Sequence, residues 1–414
     1  MWRWRRHSGL CQYAATGKMP IEVCYGINSV NSTLLRSNGR FGFPNRSIWV
    51  YFMLIFFTIS YTTTTRFLVI IITMTAFFRH IIIFSLCALA FSANAQTETN
   101  AYQFLNVSPS SHVYGLGGHN VALIDDDINL VEQNPALLGP EIDKQIGLNY
   151  MRYIGSTNFM GARYGMGINE HCAWAAGIQY YGYGSFTATE ADGSVSGTFS
   201  ARDLAVNATF SHDITDNLRG GVNLKFAHSK YESYSSAAIA ADLGINYYNP
   251  EKELSLSLVV KNLGGEIKKF SDVKASVPWD IQIGYSQILR SVPFRISITA
   301  YNLRYWHLPY YEPQDKSNSS SALIKRDKFM SNLFRHLVFG LEYVPSDRLY
   351  IGLGYNYKTR TDMSTYKRNF ISGLSIAAGL RVKAFGFGIA LAQPHTGATT
   401  FMVNLNASLA QLLH

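Results

Sequence analysis

From about Gln145 to Leu409 the chain alternates apolar and polar residues in one segment after another. Leu254, Leu256, Leu258 and Val260 interleave with Ser255, Ser257 and Lys261; Phe294, Ile296 and Ile298 interleave with Arg295, Ser297 and Thr299; Phe401, Val403, Leu405 and Ala407 interleave with Asn404, Asn406 and Ser408. Successive side chains of a strand point to opposite faces, so each segment has one apolar and one polar face. A soluble sheet turns the apolar face inward. Many long strands behind an export signal suit the inverse arrangement, with the apolar face in lipid and the polar face toward a lumen. The expected fold is all-β, a transmembrane antiparallel β-barrel of about 14 strands with a small N-terminal plug segment.

The candidate strands lie near 145–153, 156–166, 172–183, 199–212, 218–230, 236–248, 253–264, 277–289, 292–303, 333–344, 347–358, 370–382, 384–393 and 399–409. Turn-forming residues separate many of them, as at Thr215-Asp216-Asn217, Asn249-Pro250-Glu251-Lys252 and Pro345-Ser346-Asp347-Arg348. Ser185–Ser200, with its Asp192-Gly193 turn, reads as a protruding hairpin, and Arg304–Asn332 as the longest loop. Long loops on one side and short turns on the other fit a barrel in the outer membrane. The glycine pairs Gly220-Gly221 and Gly264-Gly265 read either as strand kinks or as ordinary turns. The chain ends in Ala410-Gln411-Leu412-Leu413-His414, without a terminal aromatic residue, which leaves the last strand less sharply placed.

Composition agrees. Charged residues make up only 15% of the chain, while 26 tyrosines and 25 phenylalanines can supply aromatic girdles at both membrane interfaces. The net charge of +9 belongs to the leader: nine Lys/Arg and one acidic residue, Glu22, precede residue 96, and the remainder is nearly neutral. Nothing in that balance supports nucleic-acid binding. Of four cysteines only Cys172 follows residue 96, so the exported chain can form no internal disulfide, and Cys172 reads as inert filler.

Met74–Gln96 has the layout of a secretory signal peptide. Arg79 and His80 precede an apolar core from Ile81 to Ala90, and Ser92-Ala93-Asn94-Ala95-Gln96 offers cleavage after Ala95. Residues 1–73 carry further apolar runs, Trp49–Ile59 and Phe67–Phe78. They read as an over-extended start ahead of Met74, the alternative being an inner-membrane anchor. The expected organisation is thus an extension over 1–73, a signal peptide over 74–95, a plug over 96–144 and a barrel over 145–414.

The plug candidate lacks strand alternation but is too apolar for a disordered linker. Its marked residues are Gly115, Gly117 and Gly118, the run Asp125, Asp126 and Asp127, and Asn134-Pro135. The glycines lack the strand, helix and Gly-Lys-Ser/Thr ending of a phosphate loop, and read as a tight backbone turn. The aspartates lack the ligand spacing of an EF-hand and read as a solvated turn, with Asp127 capping a short helical turn through Leu130 and Val131. The histidines are scattered without a nucleophile motif, and Asn207, Asn223 and Lys225 read as the wet lining of a lumen. No catalytic, cofactor or metal constellation emerges, so the chain is expected to be non-catalytic and to need no cofactor.

The same segment carries a resemblance. Phe104-Leu105-Asn106-Val107, the Gly115–Gly118 turn, the Asp125–Asp127 run and Asn134-Pro135-Ala136-Leu137-Leu138 resemble, in that order, the N-terminal signature of the PorV/PorQ family. Gly177-Ile178-Gln179-Tyr180-Tyr181-Gly182, Tyr248-Asn249-Pro250-Glu251-Lys252 and Ala300-Tyr301-Asn302-Leu303 look like its PorQ branch. The likeness covers roughly 102–395 and has no counterpart for residues 1–73. It implies a fourteen-stranded barrel of the fatty-acid-transporter type, working in type IX secretion of Bacteroidetes. It further implies partners like PorU, PorV and PorZ, contact with outer-membrane lipid including lipopolysaccharide, and a role anchoring the complex that attaches cargo to the cell surface. The plug residues Gly115, Gly117, Gly118, Asp125, Asp126, Asp127, Asn134 and Pro135 are then candidates for partner contact. The alternative is an outer-membrane channel for hydrophobic small molecules such as fatty acids, which requires an apolar site in the lumen. A soluble periplasmic sandwich fits poorly, since so many long strands need closure.

Overall fold

A computed structural model describes residues 101–270, 275–308, 311–312, 323–324, 329–362, 372–395 and 398–412. The expected signal peptide and N-terminal extension lie outside the described residues. Fourteen strands close into one antiparallel barrel. They are β1 (Gln145–Arg152), β2 (Asn158–Gly167), β3 (Cys172–Thr189), β4 (Val195–Thr215), β5 (Leu218–Tyr231), β6 (Tyr234–Asn249) and β7 (Leu254–Lys268). The circle continues with β8 (Asp280–Ile288), β9 (Phe294–Ala300), β10 (Leu337–Ser346), β11 (Leu349–Asn356), β12 (Leu374–Val382), β13 (Phe385–His395) and β14 (Ala398–Ser408). Each strand pairs with its neighbour in sequence, and β14 returns to β1, with Leu405 opposite Leu148. Closure leaves no unpaired edge, the condition a strand structure must meet to sit in hydrocarbon.

The alternation has the orientation expected from the sequence. Outward residues are apolar and open, as with Leu224 at 58% and Ile389 at 52% exposure, while inward Asn223 and Lys225 are buried. Connections at the mouth where β1 starts are short, such as 216–217, 347–348 and 383–384, whereas 269–279, 301–336 and 357–373 open at the opposite mouth. By the habit of such barrels the short-turn mouth faces the periplasm and the long-loop mouth the exterior.

Several strand limits differ from expectation, as where the strand expected from 370 starts at Leu374, and three of the departures have visible causes. The β3–β4 ladder runs on to Thr189 and Val195, whereas β2 accompanies β3 only to Gly182 and β5 accompanies β4 only from Ala201. Residues 185–199 therefore run on beyond their barrel neighbours as a two-stranded ribbon, within the protruding hairpin read from the sequence. The strand expected at 292–303 stops at Ala300, because Asn302 adopts a left-handed φ of 57° and its N–H turns to the Asp280 carboxylate at 2.8 Å. The strand expected from 333 starts at Leu337, since helix α2 (Phe329–Arg335) precedes it, tied by the Arg335 guanidinium to Leu308 O at 2.8 Å and Asp362 at 2.7 Å.

Residues 101–144 fill the lumen and run its length. Ala101 N donates to Ser276 O at the long-loop mouth, and Ile142 is buried where β1 starts. Helix α1 (Ser111–Gly115) and 3-10 turns at Ile128–Glu132 and Pro135–Leu137 give this plug its shape. Val113, Leu116, Leu123, Leu130 and Leu137 form a small core of its own.

Candidate functional site

The plug meets the barrel wall in three layers. At the short-turn end the contacts are ionic. His112 on α1 places Nδ1 2.9 Å from Asp125 and its Nε2 against Glu342 of β10, with its ring stacked on Tyr350 of β11 at 3.5 Å. Arg381 of β12 grips Asp125 at 3.0 Å and Asp126 at 2.7 Å. Burial alone would push the His112 imidazole down, but Glu342 and then Asp125 outweigh it and raise its pKa to about 9. Burial likewise opposes ionisation of Asp125, yet His112 and Arg381 hold it well below the usual carboxylate range. One expectation needs correction here. The aspartate run is not a solvated turn: Asp125 and Asp127 are built into the wall contact, because His112, Arg381 and Asn406 converge on them. Asp127 does cap the turn at Ile128–Glu132, accepting from Asn129 N.

This latch makes a pH prediction. A histidine whose docked pKa is raised above its free value of 6.5 contributes fully below that value and loses its contribution as pH rises through about 9. Of that rise, the part due to Glu342 depends on docking, since Asp125 belongs to the plug itself. Protease protection of the plug should therefore fall between pH 7 and 10 in the unaltered protein, and be flat over that range in His112→Gln. Equal pH profiles for the two proteins would contradict the latch.

The middle layer is a buried charge cluster. Glu132 of the plug receives Arg163 of β2 at 2.6 Å, Lys225 of β5 at 2.8 Å and Asn207 Nδ2 of β4 at 2.9 Å. Lys225 also reaches Asp242 of β6 at 2.7 Å and Asn262 Oδ1 of β7 at 3.1 Å. A β-bulge supplies the last two partners. Asp242 faces both Lys261 and Asn262, and Asn262, at φ 55°, donates its backbone N–H to the Asp242 carboxylate at 2.7 Å. One extra residue thus turns two consecutive side chains into the lumen. Despite burial, Lys225 and Arg163 hold the Glu132 carboxyl below the usual range. Of the wall residues read as a wet lining, Asn207 and Lys225 are therefore taken by the plug while Asn223 bonds Thr209 and Asp242 of the wall, and Glu132 is the partner that sequence reasoning missed. Its only signal was an acidic residue directly after the apolar pair Leu130-Val131 in a segment expected to sit inside a membrane barrel.

Close backbone approach holds the same layer. Asn134 accepts from Ala136 N and donates Nδ2 to Val121 O and to Ser257 Oγ, which seats Pro135 against β5. A Cβ at Gly221 would lie 2.4 Å from the carbonyl carbon of Pro135. The first glycine pair is thus neither kink nor turn; Gly221 makes room for the plug. At Gly117, with φ 97°, the chain leaves α1, and its carbonyl accepts from Asn356 Nδ2; Ser375 Oγ donates to Gly115 O, and Gly118 N returns to Val113 O. The structure therefore brings Gly115, Gly117, Gly118, Asp125, Asp127, Asn134 and Pro135 together inside the lumen on the barrel's own wall, with Asp126 at its short-turn rim. Gly221→Val should displace Pro135, at a cost on the order of 1–3 kcal/mol or more. Faster proteolysis of 101–144 should report it, against Gly265→Ala, where a Cβ meets nothing within 4 Å. Unchanged protection in Gly221→Val would contradict the seating.

The outer layer is apolar. Tyr102, Phe104 and Leu105 are buried among Met151, Phe159, Tyr181 and Met402 and a lining of alanines that includes Ala205, Ala238 and Ala390. Phe104 tilts on Tyr181 at 5.1 Å, and Tyr181 stacks on Phe159 at 4.5 Å. Tyr102 Oη donates to Ser236 Oγ at 2.8 Å, anchoring this segment under the long-loop mouth. Below the plug, at the short-turn mouth, a cavity of about 200 Å³ opens between Tyr248, Ser286, Arg295, Asp347 and Tyr350. Cys172 lies half-buried at the start of β3, its Sγ 3.1 Å from His212 Nδ1. Among the described residues no group of three or more His, Cys, Asp or Glu side chains is placed to hold a metal ion.

No family profile matches the sequence, and no curated protein does. Solved barrels resemble it in architecture. The Pseudomonas putida toluene transporter TodX is 12% identical, the match covering 75% of this chain and 98% of that one, with a TM-score of 0.44. A FadL homologue of Pseudomonas aeruginosa is 10% identical over 72% of this chain and 98% of its own, at 0.42. The CymD monoaromatic hydrocarbon channel is 12% identical over 74% and 97%, at 0.43.

Proposed function

We propose that this barrel is an outer-membrane channel for hydrophobic small molecules, held closed by its own N-terminal segment. One observation carries the reading: the outer third of the lumen offers an aromatic and alanine-lined cradle, and Phe104 and Leu105 occupy it. A lumen that passed only hydrophilic solutes would have no use for such a lining, since porin interiors are polar. A hydrophobic ligand arriving from the long-loop side would compete with Phe104 and Leu105 for the same contacts. The polar layers beneath then hold the remainder of the plug. The reading rests on this lining and not on the distant likenesses to hydrocarbon channels. It is tested by titrating the purified protein in detergent with an apolar fluorophore. Saturable binding at one site, displaced by an unlabelled hydrocarbon, is expected; binding no stronger than to empty micelles would refute it.

The ordered motifs of the PorV/PorQ family support a second reading, a non-catalytic anchor of type IX secretion. Its partners would be proteins like PorU, PorV and PorZ. The ribbon at 185–199 suits such a role, since its strands run beyond the reach of β2 and β5 and leave outer edges open to strand addition. Affinity purification from solubilised outer membrane tests it: co-purifying attachment proteins are expected, and their absence would refute it.

A further inference from the structure

The outward face of the barrel carries cations linked from strand to strand toward the long-loop mouth. Arg152 ends β1 and faces Asn158 of β2, which faces Gly182 of β3, which faces Arg202 of β4. Arg202 in turn lies directly opposite Lys230 of β5, and Lys230 opposite Ser235 of β6. Lys268 of β7 donates Nζ to Ser235 Oγ at 2.6 Å, which brings a further ammonium beside Lys230. Residues paired across strands share a face, and all four cations are exposed. Two steps toward the membrane centre the same strands present Val206 and Phe226, both open to lipid. The row therefore sits at the edge of the apolar belt on the long-loop side, the headgroup level of the outer leaflet.

Like charges directly opposite each other on neighbouring strands are unfavourable. Among the described residues none of Arg152, Arg202, Lys230 and Lys268 has an ion pair with a carboxylate, although Glu232 lies in the adjoining turn and Asp203 sits next in sequence with its side chain inward. Elsewhere on the rim the signs are mixed: at the short-turn mouth Lys252 lies between Glu251 and Glu253, and Arg348 beside Asp347. Among the described residues no carboxylate neutralises the row, and its charge is open to an anionic partner. We propose that Arg202, Lys230 and Lys268, extended by Arg152, form a binding surface for the phosphate groups of a phosphorylated glycolipid of the outer leaflet. The apolar belt receives its acyl chains and the row its phosphates. Such a contact fixes the β1–β7 flank against structured lipid. It holds whichever cargo or partner the lumen serves.

The test uses the full-length protein purified in detergent, with three probes: diphosphorylated lipid A, the same lipid dephosphorylated, and inorganic phosphate. Diphosphorylated lipid A is expected to bind, and Arg202→Gln/Lys230→Gln/Lys268→Gln to weaken it about 100-fold, from the contribution of each basic residue near an anionic lipid surface. Lys252→Gln/Arg290→Gln/Lys383→Gln removes equal charge at the other mouth and should leave binding unchanged. Heat-dependent gel mobility checks that both variants are folded barrels. Equal binding by the first variant, equal binding of the dephosphorylated lipid, or binding of inorganic phosphate as tight as that of the lipid would each overturn the proposal. If the first variant does not fold, the comparison of the two lipids on the unaltered protein decides the matter alone.

Discussion

Glu132→Ala is expected to release the plug while leaving the barrel closed. The carboxylate is buried and bound by Arg163, Lys225 and Asn207, so its removal strands a guanidinium and shortens the lysine's set of partners to Asp242 and Asn262. Breaking one partner out of a buried ion cluster costs about 3–5 kcal/mol, much more than an exposed pair contributes. The fourteen-strand ladder does not depend on Glu132, because backbone pairs hold it. The variant should therefore keep its heat-dependent gel mobility, lose protease protection over 101–144, and show raised ion conductance in a planar bilayer. Glu132→Gln keeps the shape and part of the hydrogen bonding, and should fall between the two. Adding Lys225→Met to Glu132→Ala removes one stranded cation and should recover part of the loss. Full protection in Glu132→Ala would mean that the cluster does not hold the plug.

The second large effect concerns the cradle. Phe104→Ala/Leu105→Ala removes the side chains that fill it, and truncations of this kind cost about 3–5 and 2–5 kcal/mol respectively at buried sites. The vacated space is bounded by Phe159, Tyr181, Met151 and Met402, an apolar surface of the kind that stays dry and accepts small hydrophobic ligands. In the unaltered protein a ligand binds only the fraction of molecules in which the segment has withdrawn, which weakens its apparent affinity by that fraction. Removing the competitor should tighten binding of an apolar fluorophore by about tenfold or more. Tyr102 still anchors the segment through Ser236, so the plug's lower layers should stay protected. Unchanged or weaker binding would show that the cradle serves packing alone.

How far the sequence revealed this structure depends on whether an interaction is local. The strands were readable because lipid on one side and the lumen on the other impose a period of two on every one of them. Their limits slipped where that demand ends: at 185–199, where alternation continues beyond the membrane, and at 329–335, where a helix precedes β10. The turn cap at Asp127 was readable because it bonds a neighbour two residues away. The ionic layers were not. His112 meets Glu342 across 230 residues and Arg381 meets Asp125 across 256, and only the closed circle brings them together. Lys225 and Asn207 looked like a wet lining because their partner, Glu132, lies in a segment without strand pattern. The bulge at Asn262, which turns Lys261 and Asn262 inward together, carries no mark beyond the Gly264-Gly265 pair two residues later.

The measurement that bears most directly on the central claim is uptake of a radiolabelled hydrophobic compound by cells lacking this protein, cells making it, and cells making Phe104→Ala/Leu105→Ala. Uptake should drop on deletion, return with the unaltered protein, and rise above that level with the variant. Equal uptake in all three strains, with the protein present in the outer membrane, would contradict a hydrophobic channel gated by its own N-terminal segment.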